Sequence, residues 1–186
     1  MAFQSTLNKF GVPLYPGSSG IGILMPKLKY RFRVTFENFG ITAPRTELTK
    51  QVSKASRPNV KFEPKVIDVY NSKINYAGKP TWDPISVTIR DDAGGTVNRI
   101  IGQQNQKQFD FFEQAGATAG GDYKFLLRIE MLDGGNGAFT PNVLETWECY
   151  GCYVQKYEYG ELNYTDQKPM LITLTIQPDI AGSSLQ

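Results

Sequence analysis

The stretch that most narrows the possible folds runs from Arg57 to Asp92, RPNVKFEPKVIDVYNSKINYAGKPTWDPISVTIRDD. Almost nothing in it can be helix. Val60 and Phe62 alternate with Asn59, Lys61 and Glu63, and Ile85, Val87 and Ile89 alternate with Ser86, Thr88 and Arg90. That period of two gives a strand one dry face and one polar face. Val66 to Tyr76 keeps β-branched and aromatic residues but mixes in Asp68, Asn71, Lys73 and Asn75, so its second face must meet water or another polar surface. The stretch reads as two long strands joined by a turn at Gly78-Lys79-Pro80. Such a ribbon has open hydrogen-bonding edges, a hazard unless something pairs with them.

Other segments carry the same period. Tyr30, Phe32, Val34 and Phe36 oppose Lys29, Arg31, Arg33 and Thr35 along a strand from Lys29 to Phe36. Its outward cations are not interleaved with aromatics on their own face, as a single-strand nucleic-acid surface would need. Tyr123–Leu132 places Phe125, Leu127, Ile129 and Met131 on one face, Leu144–Tyr159 reads as a long strand, and Met170–Gln177 sets Met170, Ile172, Leu174 and Ile176 against Leu171, Thr173 and Thr175. One helix is expected. Thr96 serves as its N-cap, and Val97–Glu113 aligns Val97, Ile101, Gln108, Phe109 and Phe112 along one side. Asn38–Arg57 reads as an irregular loop in which Arg45, Lys50, Lys54 and Arg57 face a single acid, Glu47. The chain is 186 residues long, enough for one domain with a real core. The expected organisation is an extended arm over residues 1–26, a β domain over 27–180 and a flexible tail over 181–186. The arm leaves Ile21, Ile23, Leu24 and Met25 wet unless it docks on a neighbouring copy.

The residues for chemistry are missing or misplaced. Histidine is absent, which removes the commonest general base and metal ligand together. A net charge of +2 gives no large field for gathering nucleic acid or acidic substrates. Cys149 and Cys152 are spaced C-x-x-C, but no helix start follows to activate a thiol and no further ligands exist for zinc. In a regular strand they fall on opposite faces, so they read as small core residues. Asp91-Asp92 before Gly94-Gly95 lacks the later bidentate ligand of a calcium loop and reads as acid favouring a helix N-terminus. No cofactor, metal or catalytic constellation is expected, and the function reads as architectural. Met1–Gly20 carries no apolar run of signal-peptide length, and no segment approaches a membrane span. The chain is therefore expected to remain in a cytosol with its thiols reduced.

The order of these elements resembles the tail tube proteins of contractile-tailed bacteriophages, a family shared with the tubes of contractile injection and type VI secretion systems. The residues that carry the resemblance are Val60–Tyr76, Gly78-Lys79-Pro80-Thr81-Trp82, Ile85–Ile89 with Asp91-Asp92, Cys149–Tyr153, Gly160-Glu161-Leu162-Asn163-Tyr164 and Met170–Gln177. The likeness spans roughly residues 28–178. It implies an antiparallel β-barrel or sandwich with one flanking helix, whose long strands are contributed to a barrel shared between subunits.

The resemblance further implies rings of six copies, each giving four long strands to a common wall, stacked into a tube inside a sheath. Baseplate and tail terminator proteins would be further partners, and the place of residence a virion tail assembled in the host cytoplasm. Twenty-four strands at ~4.8 Å spacing and ~40° tilt close a barrel on the order of 45–50 Å across, wide enough for duplex DNA to pass. Passage requires a wall that does not hold phosphate. Glu145, Glu148, Glu158 and Glu161, opposed along the sequence only by Lys156, are accordingly expected to face the lumen. Arg45, Lys50, Lys54 and Arg57 are expected to contact the next ring or the sheath. Two alternatives stay open: a secretion or injection tube that carries protein effectors, and a monomeric carbohydrate-binding β-sandwich.

Overall fold

The computed structural model describes residues 27–41, 46–134 and 141–185. The chain divides into two units, Met1–Arg31 and Phe32–Gln186. The first is described only from Lys27 to Arg31, where the Arg31 amide donates to the Leu28 carbonyl and the guanidinium lies 5.4 Å from the Tyr30 ring centroid. The arm expected over residues 1–26 lies outside the described residues.

The second unit is mainly β, as its alternating segments require. Its strands are β1 (Phe32–Glu37), β2 (Val52–Ala55), β3 (Val60–Val69), β4 (Ser72–Trp82), β5 (Ile85–Arg90), the two-residue β6 (Phe109–Asp110) and β7 (Ala115–Gly116), β8 (Phe125–Leu132), β9 (Val143–Tyr159), β10 (Leu171–Gln177) and β11 (Ile180–Leu185). Helices α1 (Thr46–Gln51), α2 (Thr96–Gln108) and α3 (Gly120–Tyr123) lie between them. The main sheet is antiparallel in the order β1-β8-β9-β10-β5-β2, with β11 on β9. Among the described strands it does not close into a barrel.

Seventeen-residue β9 is the strand on which the sheet turns. Its first half is held between β8 (Leu127↔Cys149, Met131↔Glu145) and β11 (Ile180↔Tyr150), and its second half pairs with β10 (Thr173↔Glu158). The turning point is Gly151, with φ +64°. Two steps along β8, Phe125 to Leu127, match three along β9, Cys149 to Cys152, a bulge that resets the alternation. Both cysteines therefore point into the core and are fully buried, not on opposite faces as a regular strand dictates. Burial pushes their thiols up to about 11 for Cys149 and about 12 for Cys152. The space over Gly151 is taken by Asp179, whose carboxylate lies 2.3 Å from where a Cβ would stand. The Asp179 amide donates to the Tyr150 carbonyl (3.1 Å) and its carboxylate pairs with Lys124. This corner starts β11, so residues 181–185 form a strand on β9 where the sequence suggested a flexible tail.

Ile85, Val87 and Ile89 of β5, Ile172, Leu174 and Ile176 of β10, and Leu127 and Ile129 of β8 supply one continuous core with Val34, Phe36 and Phe39. Phe39 meets Phe125 edge-on, centroids 4.8 Å apart. Helix α2 buries Val97, Ile100, Ile101 and Gln104 against it. Its N-cap is Gly95, not Thr96, and the Asp92 carboxylate reaches forward to accept from the Thr96 (3.2 Å) and Val97 (2.8 Å) amides. Those two N–H groups would otherwise lack partners, so the acid does favour the helix start. Gln104 is fully buried; its Oε1 accepts from the Gly40 amide (2.8 Å) and its Nε2 donates to the Tyr123 carbonyl (2.7 Å).

Three further expectations are corrected. The helix ends at Gln108, and Phe109 and Phe112, expected on its buried side, are exposed beyond it. Asn38–Arg57 is not wholly irregular, since it holds α1, with Leu48 buried, and β2. The Gly78-Lys79-Pro80 segment is not the turn of the long ribbon: that turn is Tyr70-Asn71, and β5 leaves the ribbon to join β10 and β2.

Candidate assembly surface

The β3–β4 hairpin forms a two-stranded sheet of its own. Register runs from Val60↔Trp82 through Lys65↔Tyr76 and Ile67↔Ile74 to Val69↔Ser72. Between Phe62↔Pro80 and Pro64↔Ala77, two steps on β3 match three on β4. The extra residue is accommodated at Gly78, where a Cβ would lie 2.6 Å from the Glu63 carbonyl oxygen. Any other residue there pushes the strands apart, which is why the stretch carries glycine in mid-strand.

Because paired residues share a face, the apolar side switches along the hairpin. Near its base Val60, Phe62 and Val66 lie on one face with Trp82 and Pro80. Near its tip Ile67, Val69 and Ile74 lie on the other with Tyr76. Every one of Val60, Phe62, Val66, Ile67, Val69, Ile74 and Tyr76 is between 43% and 55% exposed. The polar positions carry cross-strand and local pairs, Asp68 with Lys73 at 3.6 Å and Glu63 with Lys65 at 3.6 Å. Neither outer edge pairs with another described strand. An isolated two-stranded hairpin is marginal in water, and this one leaves half of each apolar side chain to be covered.

The residues singled out by charge are scattered. Glu145 points into the core side of β9 opposite Met131, with its side chain 9% exposed. It accepts from Trp147 Nε1 at 2.5 Å and lies 3.8 Å from Arg57. Glu145 and Arg57, expected to face opposite surroundings, are thus paired within one chain, and Glu145 is withdrawn from solvent. Glu148 and Glu158 are on the outward face of β9. Arg128 approaches Glu148 to 3.0 Å, and Lys156 pairs with Glu158. The Tyr150 hydroxyl and Arg128 hold the Glu148 carboxyl below the usual carboxylate range. Glu161 lies in the loop between β9 and β10. Lys50 pairs with Glu47 in α1 at 3.1 Å, Lys54 sits on β2, and Arg45 lies outside the described residues. Counting charge along β9 missed Arg128 and Arg57 because they come from other parts of the chain.

Around Glu148 the outward face of β1, β8 and β9 carries a ladder of ion pairs, Arg33 with Glu130 at 2.6 Å and Arg128 with Glu37 at 2.8 Å. Among the described residues no group of three or more His, Cys, Asp or Glu side chains is placed to hold a metal, and no helix is long and apolar enough to cross a membrane.

No protein-family model matches the sequence, and no curated protein matches it. Solved structures do. The tube-terminating cap of the anti-feeding prophage superposes with a TM-score of 0.64 at 15% identity, over 94% of this chain and 100% of that one. A chain of the PVC extracellular contractile injection system, from its sheath–tube complex in the extended state, gives 0.61 at 15% identity over 87% and 93%. The fold is that of the contractile-system tube proteins. It also matches the SPP1 tail tube, with a TM-score of 0.53 at 12% identity over 87% of this chain and 80% of that one. The hairpin thus belongs to a fold found in tubes, and in the chain alone it lacks a partner.

Proposed function

We propose that this chain is a non-enzymatic building block of a tube in a contractile tail or injection system, self-associating as rings of six that stack within a sheath. The observation that carries the reading is the β3–β4 hairpin, open at both edges and half-exposed at seven apolar positions. Copies of the chain supply what it lacks: strand edges to complete its hydrogen bonds and apolar surface to cover its two faces. Covering half of an aliphatic or aromatic side chain is worth about 1 kcal/mol, so the seven positions offer on the order of 7 kcal/mol per copy before the cost of ordering. Repeated around a ring, that gain closes the wall.

In this reading the ends of the tube meet baseplate and terminator proteins, and the cargo in a phage tail is duplex DNA. Glu148, Glu158 and Glu161 would line the bore, while Lys50, Lys54 and Arg57, together with Arg45, would contact the next ring or the sheath. A second reading has support of its own. Glu148 and Glu158 are each neutralised by a neighbouring cation, so their face of β9 repels phosphate less than the sequence count implied, which suits a bore that carries protein in an injection system. Electron microscopy of the purified chain over a concentration series tests the common core of both. Hollow cylinders of uniform width are expected. A monodisperse monomer at every concentration would refute assembly by this chain and favour a self-contained binding module.

A further inference from the structure

We infer that Tyr70 is the anchor by which one copy holds the next: its ring enters the cavity formed by the β9–β10 loop of a neighbouring copy. The inference rests on the self-assembly proposed above and names the contact within it. Tyr70 stands at the tip of the β3–β4 hairpin with its backbone at φ +45°, and the residue is 99% exposed. A residue with a Cβ holds positive φ at a cost that glycine avoids, and asparagine tolerates the conformation better. Exposed as it is, the ring gains nothing from its own chain to offset that strain. A two-residue hairpin turn requires positive φ at this position. The sequence fills it with a fully exposed tyrosine where glycine or asparagine would serve the turn better, a choice that points to a use for the ring outside its own chain. The flanking Val69, Ile67 and Ile74 extend the apolar tip.

The receiving site is on the same chain and on a different surface. The loop lines a half-open recess of about 400 Å³, with Leu162, Met170 and Leu171 as its apolar wall and Glu161, Asp166 and Lys168 among its polar groups. It is shaped in advance by its own hydrogen bonds: the Thr165 amide and hydroxyl donate to Asn163 Oδ1 (3.0 and 2.9 Å), and the Lys168 amide donates to Asp166 Oδ1 (3.1 Å). A recess with an apolar wall and the Glu161 and Asp166 carboxylates among its polar groups suits a tyrosine, whose ring is apolar and whose hydroxyl wants a partner. Charge complements shape. Strands β3 and β4 carry Lys61, Lys65, Lys73 and Lys79 against Glu63 and Asp68, while the loop carries Glu161 and Asp166 against Lys168. Tip and cavity being different surfaces, the contact is head-to-tail, and a head-to-tail contact propagates instead of closing a pair.

Two variants test it on the full chain. Tyr70→Gly relieves the backbone, so the thermal midpoint of the unassembled protein is expected to hold or rise while the concentration needed for assembly rises at least tenfold; Tyr70→Phe, which keeps the ring, recovers most of the loss. Assembly of Tyr70→Gly at the wild-type concentration would overturn the inference. The double variant Tyr70→Cys/Leu162→Cys, mildly oxidised after assembly, is expected to give a ladder of covalent oligomers that neither single variant gives. The native thiols do not interfere, since both are buried with raised pKa. Cylinders without a ladder sink the inference and leave the proposed function standing, as does a ladder from Tyr70→Cys alone, which means tip-to-tip contact. No cylinders from the unmodified chain removes both.

Discussion

Replacing Ile67 and Ile74 together by threonine should separate folding from assembly. The two face each other across the hairpin and are 50% and 55% exposed. In the isolated chain the change removes one apolar cross-strand pair, worth about 0.2–1 kcal/mol, and threonine keeps the β-branched shape that strands favour. No core residue loses a neighbour of consequence, so the unfolding midpoint should barely move. In an assembly the remaining half of each isoleucine is buried, worth about 1 kcal/mol per side chain, and a hydroxyl placed there adds a desolvation cost of about 0.5–2 kcal/mol where it finds no partner. The expected loss is about 2–6 kcal/mol per copy, which raises the concentration for half-assembly at least about 30-fold and at most roughly 25,000-fold. Sedimentation across a dilution series measures that concentration, with circular dichroism and thermal melting as the folding control. Assembly at an unchanged concentration by a folded double variant refutes the claim that this face is covered by other copies.

Other perturbations probe the frame that holds the hairpin. Gly151→Ala must adopt φ +64° and expel the Asp179 carboxylate from a point 2.3 Å away, so it should destabilise the fold by about 2–3 kcal/mol in denaturant titrations; Asp179→Ala in the same background should restore part of the loss. Gln104→Leu strands the buried Gly40 amide and the Tyr123 carbonyl, and the expected cost is about 2–4 kcal/mol, read from the shift in unfolding midpoint. The amides of Val97 and then Thr96 hold the Asp92 carboxyl below its ordinary value. Because the folded value is the lower one, this contribution is present above the usual carboxylate range and fades as pH falls through the folded value. The stability gap between the native chain and Asp92→Ala should therefore narrow on acidification, and a gap independent of pH contradicts the capping role.

Much of the fold was legible wherever one face of a strand is dry. Ile85/Val87/Ile89, Ile172/Leu174/Ile176 and Phe125/Leu127/Ile129 lie buried as their spacing requires, because burial on one face and a period of two leave no other register. Legibility failed where the period is interrupted. Gly151 resets the phase of β9 and turns both cysteines inward, and a single glycine in a strand does not announce its dihedral. In the long ribbon the Gly78-Lys79-Pro80 cluster drew the turn to itself, whereas it marks a bulge. The true turn has a signal of another kind: about Tyr70-Asn71 the sequence mirrors itself, Ile67 against Ile74 and Asp68 against Lys73, like facing like and acid facing base. Charge assignments fared worst for a plain reason. Arg57 and Arg128 reach Glu145 and Glu148 from other parts of the chain, and a count along one strand cannot see them.

The central claim is that β3 and β4 are completed by further copies of the same chain. Hydrogen exchange of the amides from Val60 to Trp82, followed from dilute to concentrated protein, addresses it directly. Rapid exchange at the outer edges in dilute solution should give way to strong protection in step with the appearance of large particles. Outward-pointing amides of β3 or β4 that are already protected in a lone monomer, or that stay unprotected in the assembled form, would contradict it.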